Sequence, residues 1–198
     1  MSNTVDNSKR RFLTTAASVV GGAGVAAVAV PFISSMLPSA KAQAAGAPVD
    51  VDISKLEVGQ LMTVAWRGKP VWLLNRSAES LKMLPEIDKS LVDPKSNVTS
   101  QQPDYCKNED RSIRDNLLVV VGICTHLGCS PTYRPDLAPA DLGPEWKGGF
   151  FCPCHGSRYD LAGRVYKNMP APKNLVVPPY HFVGDNRVIV GEDPQGAA

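Results

Sequence analysis

Two short runs hold nearly all the metal-binding side chains of this 198-residue chain: Cys124-Thr125-His126-Leu127-Gly128-Cys129 and Cys152-Pro153-Cys154-His155-Gly156-Ser157. The chain has five cysteines and three histidines, and the two runs take all but Cys106 and His181. Packing alone does not gather rare ligands in this way. The outer members are Cys124, His126, Cys152 and His155, two thiolates and two imidazoles. That set suits a tetrahedral zinc ion. It also suits a binuclear iron–sulfur cluster with one iron held by sulfur and the other by nitrogen.

The charge count separates these chemistries. Two ferric ions, two sulfides and two thiolates sum to zero when both imidazoles are neutral, whereas four thiolates leave a net negative cluster. A neutral site takes an electron more readily, so its reduction potential is higher. Reduction also makes the outer imidazole nitrogens more basic, so a proton can follow the electron. Zinc offers neither step, and the paired runs with their extra cysteines favour iron–sulfur. The remaining cysteines, Cys129 and Cys154, sit one per run and are predicted to form a disulfide clamping the two runs together. Closing a loop of about 25 residues is worth about 3 kcal/mol in the chain-entropy model.

At VGICTHLGCSP (121–131), PCHGSRYD (153–160) and MPAP (169–172) the chain resembles the bacterial type of Rieske iron–sulfur subunit of ubiquinol–cytochrome c reductase, the cytochrome bc complex. The resemblance spans nearly the whole chain. It implies one [2Fe-2S] cluster on Cys124, His126, Cys152 and His155, and a disulfide between Cys129 and Cys154. It also implies hydroxyls of Ser157 and Tyr159 that hydrogen-bond to cluster or ligand sulfur. A donor aimed at sulfur stabilises the electron-rich state and raises the potential. Residues 169–172 resemble the family's proline loop over the cluster, with Met169 where that loop has glycine. Further implied are quinol bound in a cytochrome b subunit, hydrogen-bonded to His155 as proton acceptor, with Leu127 at the quinol pocket. The electron then passes to a c-type cytochrome subunit in a dimeric multisubunit complex. A second reading, the Rieske small subunit of a periplasmic oxidase such as arsenite oxidase, shares the motifs. A third is a zinc-stabilised, membrane-tethered module.

Residues 12–37 carry no charged side chain. About 26 residues make roughly 39 Å of helix, enough to cross a bilayer with tilt. Pro31 is expected to kink this helix or mark its exit. Lys9, Arg10 and Arg11 predict a cytoplasmic N-terminus over residues 1–11. Ser8-Lys9-Arg10-Arg11-Phe12-Leu13 resembles a twin-arginine export signal, with Lys9 at the first arginine position. Ala40-Lys41-Ala42 and Ala42-Gln43-Ala44 resemble signal-peptidase sites, but the apolar run exceeds a signal peptide's usual core and the anchor is expected to stay. Residues 38–48, rich in alanine, read as a hinge linker. The head is then periplasmic, on a bacterial inner membrane.

Residues 49–198 suffice for one domain. Its 17 Lys and Arg balance 18 Asp and Glu, so the overall charge of +2 comes from the N-terminal region. No basic patch points to nucleic acid. The pattern predicts an all-β head: stacked antiparallel sheets with a cluster-binding subdomain of two loops (124–131 and 152–160), plus one N-terminal transmembrane helix. Gln60–Trp66 and Pro70–Asn75 are expected to pair across a three-residue loop, and Tyr180–Val183 with Arg187–Val190 across Gly184-Asp185-Asn186. Leu117–Ile123 and Gly149–Cys152 feed the two ligand runs. Ser77 is predicted to cap a short helix through Met83. Residues 130–148 read as an insertion packed down by Trp146, residues 93–116 as irregular, Cys106 as a free exposed thiol, and His181 as a core or surface side chain.

Overall fold

The computed structural model describes residues 6–40, 42 and 46–194, and the chain divides into two compact units at residue 44. Lys41, Gln43 and Ala44 of the expected cleavage sites, residues 1–5 of the expected cytoplasmic terminus and residues 195–198 lie outside the described residues.

The first unit is built around a long helix, α1 (Asn7–Ser35). Asp6 caps it, its carboxylate accepting from the amides of Ser8 (3.1 Å) and Lys9 (3.3 Å). The cap starts the helix ahead of the apolar run, so Lys9, Arg10 and Arg11 lie on its first turns. Pro31 does not end the helix, which continues to Ser35. The hydroxyl of Ser34 donates to Pro31 O (2.9 Å), an acceptor near the broken part of the ladder. Large apolar side chains from Phe12 to Leu37 point outward on all sides. With a mean hydropathy of 2.0 over an 18-residue stretch, the helix is long and apolar enough to cross a membrane.

Among its described residues the second unit holds three antiparallel three-stranded sheets. The first joins the two ends of the head, in the order β1 (Val49–Asp52), β9 (Arg187–Val190), β8 (Tyr180–Val183). The second runs β2 (Leu61–Trp66), β3 (Lys69–Asn75), β4 (Leu117–Val121). The third runs β5 (Thr132–Arg134), β6 (Gly149–Phe151), β7 (Arg158–Tyr159). The expected β8–β9 hairpin is present in register. The β2–β3 loop is shorter than expected: Trp66 pairs with Lys69, leaving Arg67 and Gly68, both at positive φ (50° and 72°). Such a two-residue turn matches the strand twist better than a three-residue loop. Ser77 caps α2 (Ala78–Met83) through its hydroxyl on Ser80 N, as its sequence predicts.

The apolar run of β4 is buried along its whole length. Trp72 of β3 stacks on Phe150 of β6 (centroids 5.0 Å, 19°), so the second and third sheets share one core. Where β6 passes β7 there is no room for a side chain. A Cβ on Gly149, whose φ is +152°, would lie 2.0 Å from Tyr159 O. Gly149→Ala is therefore expected to cost about 2–4 kcal/mol. That is roughly 4–16 °C in the melting temperature of the full chain in detergent. A melting temperature unchanged within about 1 °C would show that the strands separate without penalty.

Two expectations fail in the loops. Residues 130–148 are not one insertion, because Thr132–Arg134 form β5 and leave 135–148 as the loop. Cys106 is not exposed: it lies at 0 % in the main core, its Sγ 3.8 Å from Tyr180 Oη, and burial pushes its pKa to about 11. The polar neighbours of Cys106 hid this, because the 93–116 segment is drawn inward by buried arginines. Arg111 donates to the carbonyls of Gln101, Ala162, Gly163 and Leu175, and Arg76 to those of Asp110, Asp115 and Leu161. Burial pulls both guanidinium pKa values down to about 10. His181 is half-buried, its Nδ1 3.3 Å from Glu192 O.

Candidate metal centre

The first ligand run links strands of two different sheets and the second joins a paired hairpin, yet the two tips close in the same way. In the first, between β4 and β5, Cys124 N donates to Cys129 O (2.7 Å) and Gly128 N to Cys124 O (3.1 Å). In the second, between β6 and β7, Cys152 N donates to Ser157 O (2.8 Å) and Gly156 N to Cys152 O (2.9 Å). The fifth residue of each tip is a glycine in the left-handed region, Gly128 at φ +87° and Gly156 at +77°. The backbones match while the ligands swap places, histidine third in one tip and fourth in the other.

This geometry brings the four candidate ligands together. Cys124 and Cys152 are buried free thiols, and the rings of His126 and His155 meet edge to face with centroids 4.7 Å apart. His126 Nδ1 is buried without a hydrogen-bond partner, whereas His155 is exposed. A buried unpartnered imidazole nitrogen is costly unless it meets a donor or a metal. Burial pushes Cys124 up, but hydrogen bonding at its sulfur, from the Tyr159 hydroxyl above all, leaves its pKa below the usual thiol value. Burial and the adjacent Cys124 sulfur hold Cys152 above it. Two buried sulfurs that compete for charge, beside two imidazoles, fit a cationic di-iron core, which would neutralise both.

Cys129 and Cys154 form the disulfide across the tips, with Cα atoms 6.6 Å apart. The sulfurs of Cys129, Cys152 and Cys154 lie within 4.8 Å of one another, but the two bonded ones carry no charge for a metal, and only Cys152 is free.

Two hydroxyls face the sulfurs, each held by a backbone amide. Tyr159, fully buried, has its Oη 3.2 Å from Cys124 Sγ and accepts from Thr125 N (3.1 Å). A thiolate only accepts, so Tyr159 donates to it. Burial pushes the Tyr159 phenol far up, which keeps that proton in place. Ser157 Oγ accepts from Ala171 N (3.1 Å), so its own proton stays free to donate. Behind them, the Asp160 carboxylate accepts from Ala162 N, Arg164 N and Arg164 Nε, fixing the turn that follows Tyr159. Leu127, 72 % exposed, stands at the first tip.

Thr125 is the contributor that the sequence left without a role. Its hydroxyl donates to Lys173 O (2.6 Å) and lies 3.2 Å from Tyr159 Oη, tying the first tip to the chain just after the proline loop. Its place between two ligands was the available signal. The amide of Ala171 had none, because a backbone donor carries no letter.

Three small antiparallel sheets with two disulfide-clamped tips, each presenting one buried thiol and one imidazole, define the class: a Rieske [2Fe-2S] domain, whose family model matches residues 49–181. The chain belongs to this family, and within it to the iron–sulfur subunits of ubiquinol–cytochrome c reductase. A model described as the ubiquitinol-cytochrome C reductase Fe-S subunit TAT signal matches residues 1–39. The chain is 60% identical over 189 residues to the ubiquinol-cytochrome c reductase iron-sulfur subunit of Allochromatium vinosum, covering 96% of this chain and 91% of that protein. It is 44% identical over 191 residues to that of Blastochloris viridis, covering 96% of each. A solved hyperthermophilic respiratory Complex III chain shares the fold, with TM-score 0.50 and 23% identity over 88% of this chain and 98% of that one. The cofactor is thus one [2Fe-2S] cluster, and the zinc-module and oxidase-small-subunit readings fall away.

Proposed function

We propose that this chain is the membrane-anchored electron-transfer subunit of a ubiquinol–cytochrome c reductase of the respiratory chain. It takes one electron from ubiquinol bound in a cytochrome b subunit and passes it to a c-type cytochrome, with proton release. Cys124 and Cys152 would hold one iron of the cluster and His126 and His155 the other. When bound, the cluster supplies a one-electron acceptor of raised potential. His155 accepts a hydrogen bond, then the proton, from the quinol hydroxyl at its outer ring nitrogen. Leu127 contacts the quinol pocket and excludes water there. Tyr159 and Ser157 direct their protons at sulfur and favour the reduced state. The observation that carries this reading is the asymmetry of the tips: the thiols are buried, Cys124 against the Tyr159 hydroxyl, while His155 and Leu127 are exposed.

The division of the chain follows. Residues 1–11 remain cytoplasmic behind a twin-arginine-like signal, residues 12–37 lie in an inner membrane as an uncleaved anchor, 38–48 act as a hinge, and 49–198 form a periplasmic head. The hinge allows the head to reach both cytochromes, in a complex that is dimeric.

Redox titration of the full chain in detergent, followed by electron paramagnetic resonance, tests the reading. A rhombic signal should appear with ascorbate, at a pH-dependent potential in the upper part of the roughly −150 to +300 mV Rieske range. Tyr159→Phe and Ser157→Ala should each lower that potential by about 40 mV, the worth of about 1 kcal/mol of hydrogen bonding to the reduced state. Unchanged potentials in both variants would remove the sulfur-donor role. A signal only at low potential would indicate a ferredoxin-like donor instead.

A further inference from the structure

The 135–148 loop between the ligand tips makes contacts that a mere spacer does not need. It folds back on itself through Ala138 N to Trp146 O (2.9 Å) and Gly143 N to Pro139 O (2.9 Å). Trp146, 1 % exposed, donates from Nε1 to Arg134 O (3.2 Å) and stacks on Tyr166 (6.1 Å, 22°). With Leu142, Ile87, Leu91 and Tyr166 it forms a second apolar cluster, separate from the main core.

Two contacts lead from this cluster to the residues that aim protons at sulfur. Arg158, which lies between Ser157 and Tyr159, donates from Nη1 to Leu142 O (2.9 Å). Met169 packs against both the second cluster and the main core. Met169 stands two residues before Ala171, whose amide occupies the Ser157 oxygen. It also stands where the resembling proline loop has glycine, which has no side chain to make this contact.

We propose that the 135–148 loop is a brace that sets the reduction potential of the cluster, with Trp146 and Met169 as its positioning residues. Trp146 supplies a rigid, fully buried wall. Met169 carries that wall to the proline loop and holds Ala171 N on Ser157 Oγ. The Ser157 proton then has one good acceptor left, the ligand sulfur. Arg158 fixes the same stretch from the other side. Loosening the brace frees the Ala171 amide, lets the Ser157 hydroxyl rotate, and weakens the stabilisation of the reduced state. The proposal rests on the ligand and donor assignments above.

The test uses the full chain with its cluster in detergent and two readouts: the midpoint potential by paramagnetic resonance and hydrogen exchange at the Ala171 amide. Met169→Ala truncates a half-buried side chain, Trp146→Leu removes the wall, and Trp146→Phe keeps a ring for stacking. Met169→Ala and Trp146→Leu should each lower the potential and speed exchange at Ala171 at least tenfold. The double variant should shift no further than the larger single shift, because both act along one path. Trp146→Phe should stay near wild type, which separates bracing from general loss of folding. A wild-type potential in Met169→Ala while Ser157→Ala is lowered overturns the brace alone. A wild-type potential in Ser157→Ala overturns the donor reading and the brace with it.

Discussion

Cys152→Ser should lose the cluster outright. The purified full chain should be colourless, hold no stoichiometric iron and give no rhombic resonance, while the Cys129–Cys154 disulfide still forms. Cys152 is 1 % exposed, and its amide is already committed to Ser157 O. Serine would keep the shape but not the chemistry. A thiol ordinarily ionises near pH 8.5, and a metal draws it down further. An alcohol in the same buried position keeps its proton, and a neutral oxygen is a poor partner for iron in a soft-ligand site. The expected loss is therefore all or nothing, larger than any change made in the donors. Iron analysis and visible absorption decide it. Stoichiometric iron in Cys152→Ser would move the ligand set away from this residue. Cys106→Ser is the control, because that thiol lies in the main core facing Tyr180 and should leave the iron content unchanged.

The contrast between these two cysteines shows what a sequence reveals here. The candidate ligands stood out because thiols and imidazoles are rare and nearly all of them crowd into two short runs. The β8–β9 hairpin and the Ser77 cap were legible for a similar reason: turn and cap residues act on their immediate neighbours. Cys106 was misread because its burial depends on distant partners. Arg111 reaches over 50 residues along the chain to Ala162 and over 60 to Leu175, binding carbonyl oxygens that every residue possesses. Nothing in the polar string 93–116 reports that. The same limit hid Ala171 and half-hid Thr125, whose functional atoms are an amide and a hydroxyl on a backbone carbonyl. Rare side chains mark the centre of a site like this one. The hydroxyls beside that centre are held by common backbone groups, which only the fold brings into place.

The Cys129–Cys154 disulfide should govern stability more than any other single covalent feature of the head. Replacing both cysteines with alanine removes a cross-link spanning 25 residues of sequence. The chain-entropy model assigns such a link about 3 kcal/mol through the unfolded state. For a chain of this size that corresponds to roughly 6–12 °C in melting temperature. Two neighbours make the local loss greater than the average. The bond joins tips that otherwise meet only through side chains, and Cys124 N is bonded to the carbonyl of Cys129 itself. Freed tips would let water reach the buried sulfurs and weaken the hold of Tyr159 on Cys124. Differential scanning calorimetry of the cluster-bearing full chain should show the drop in melting temperature. The visible absorption of the cluster should bleach before the head unfolds, because the tips open first. Bleaching that coincides with global unfolding, at a melting temperature within about 2 °C of wild type, would mean that the strands alone position the ligands.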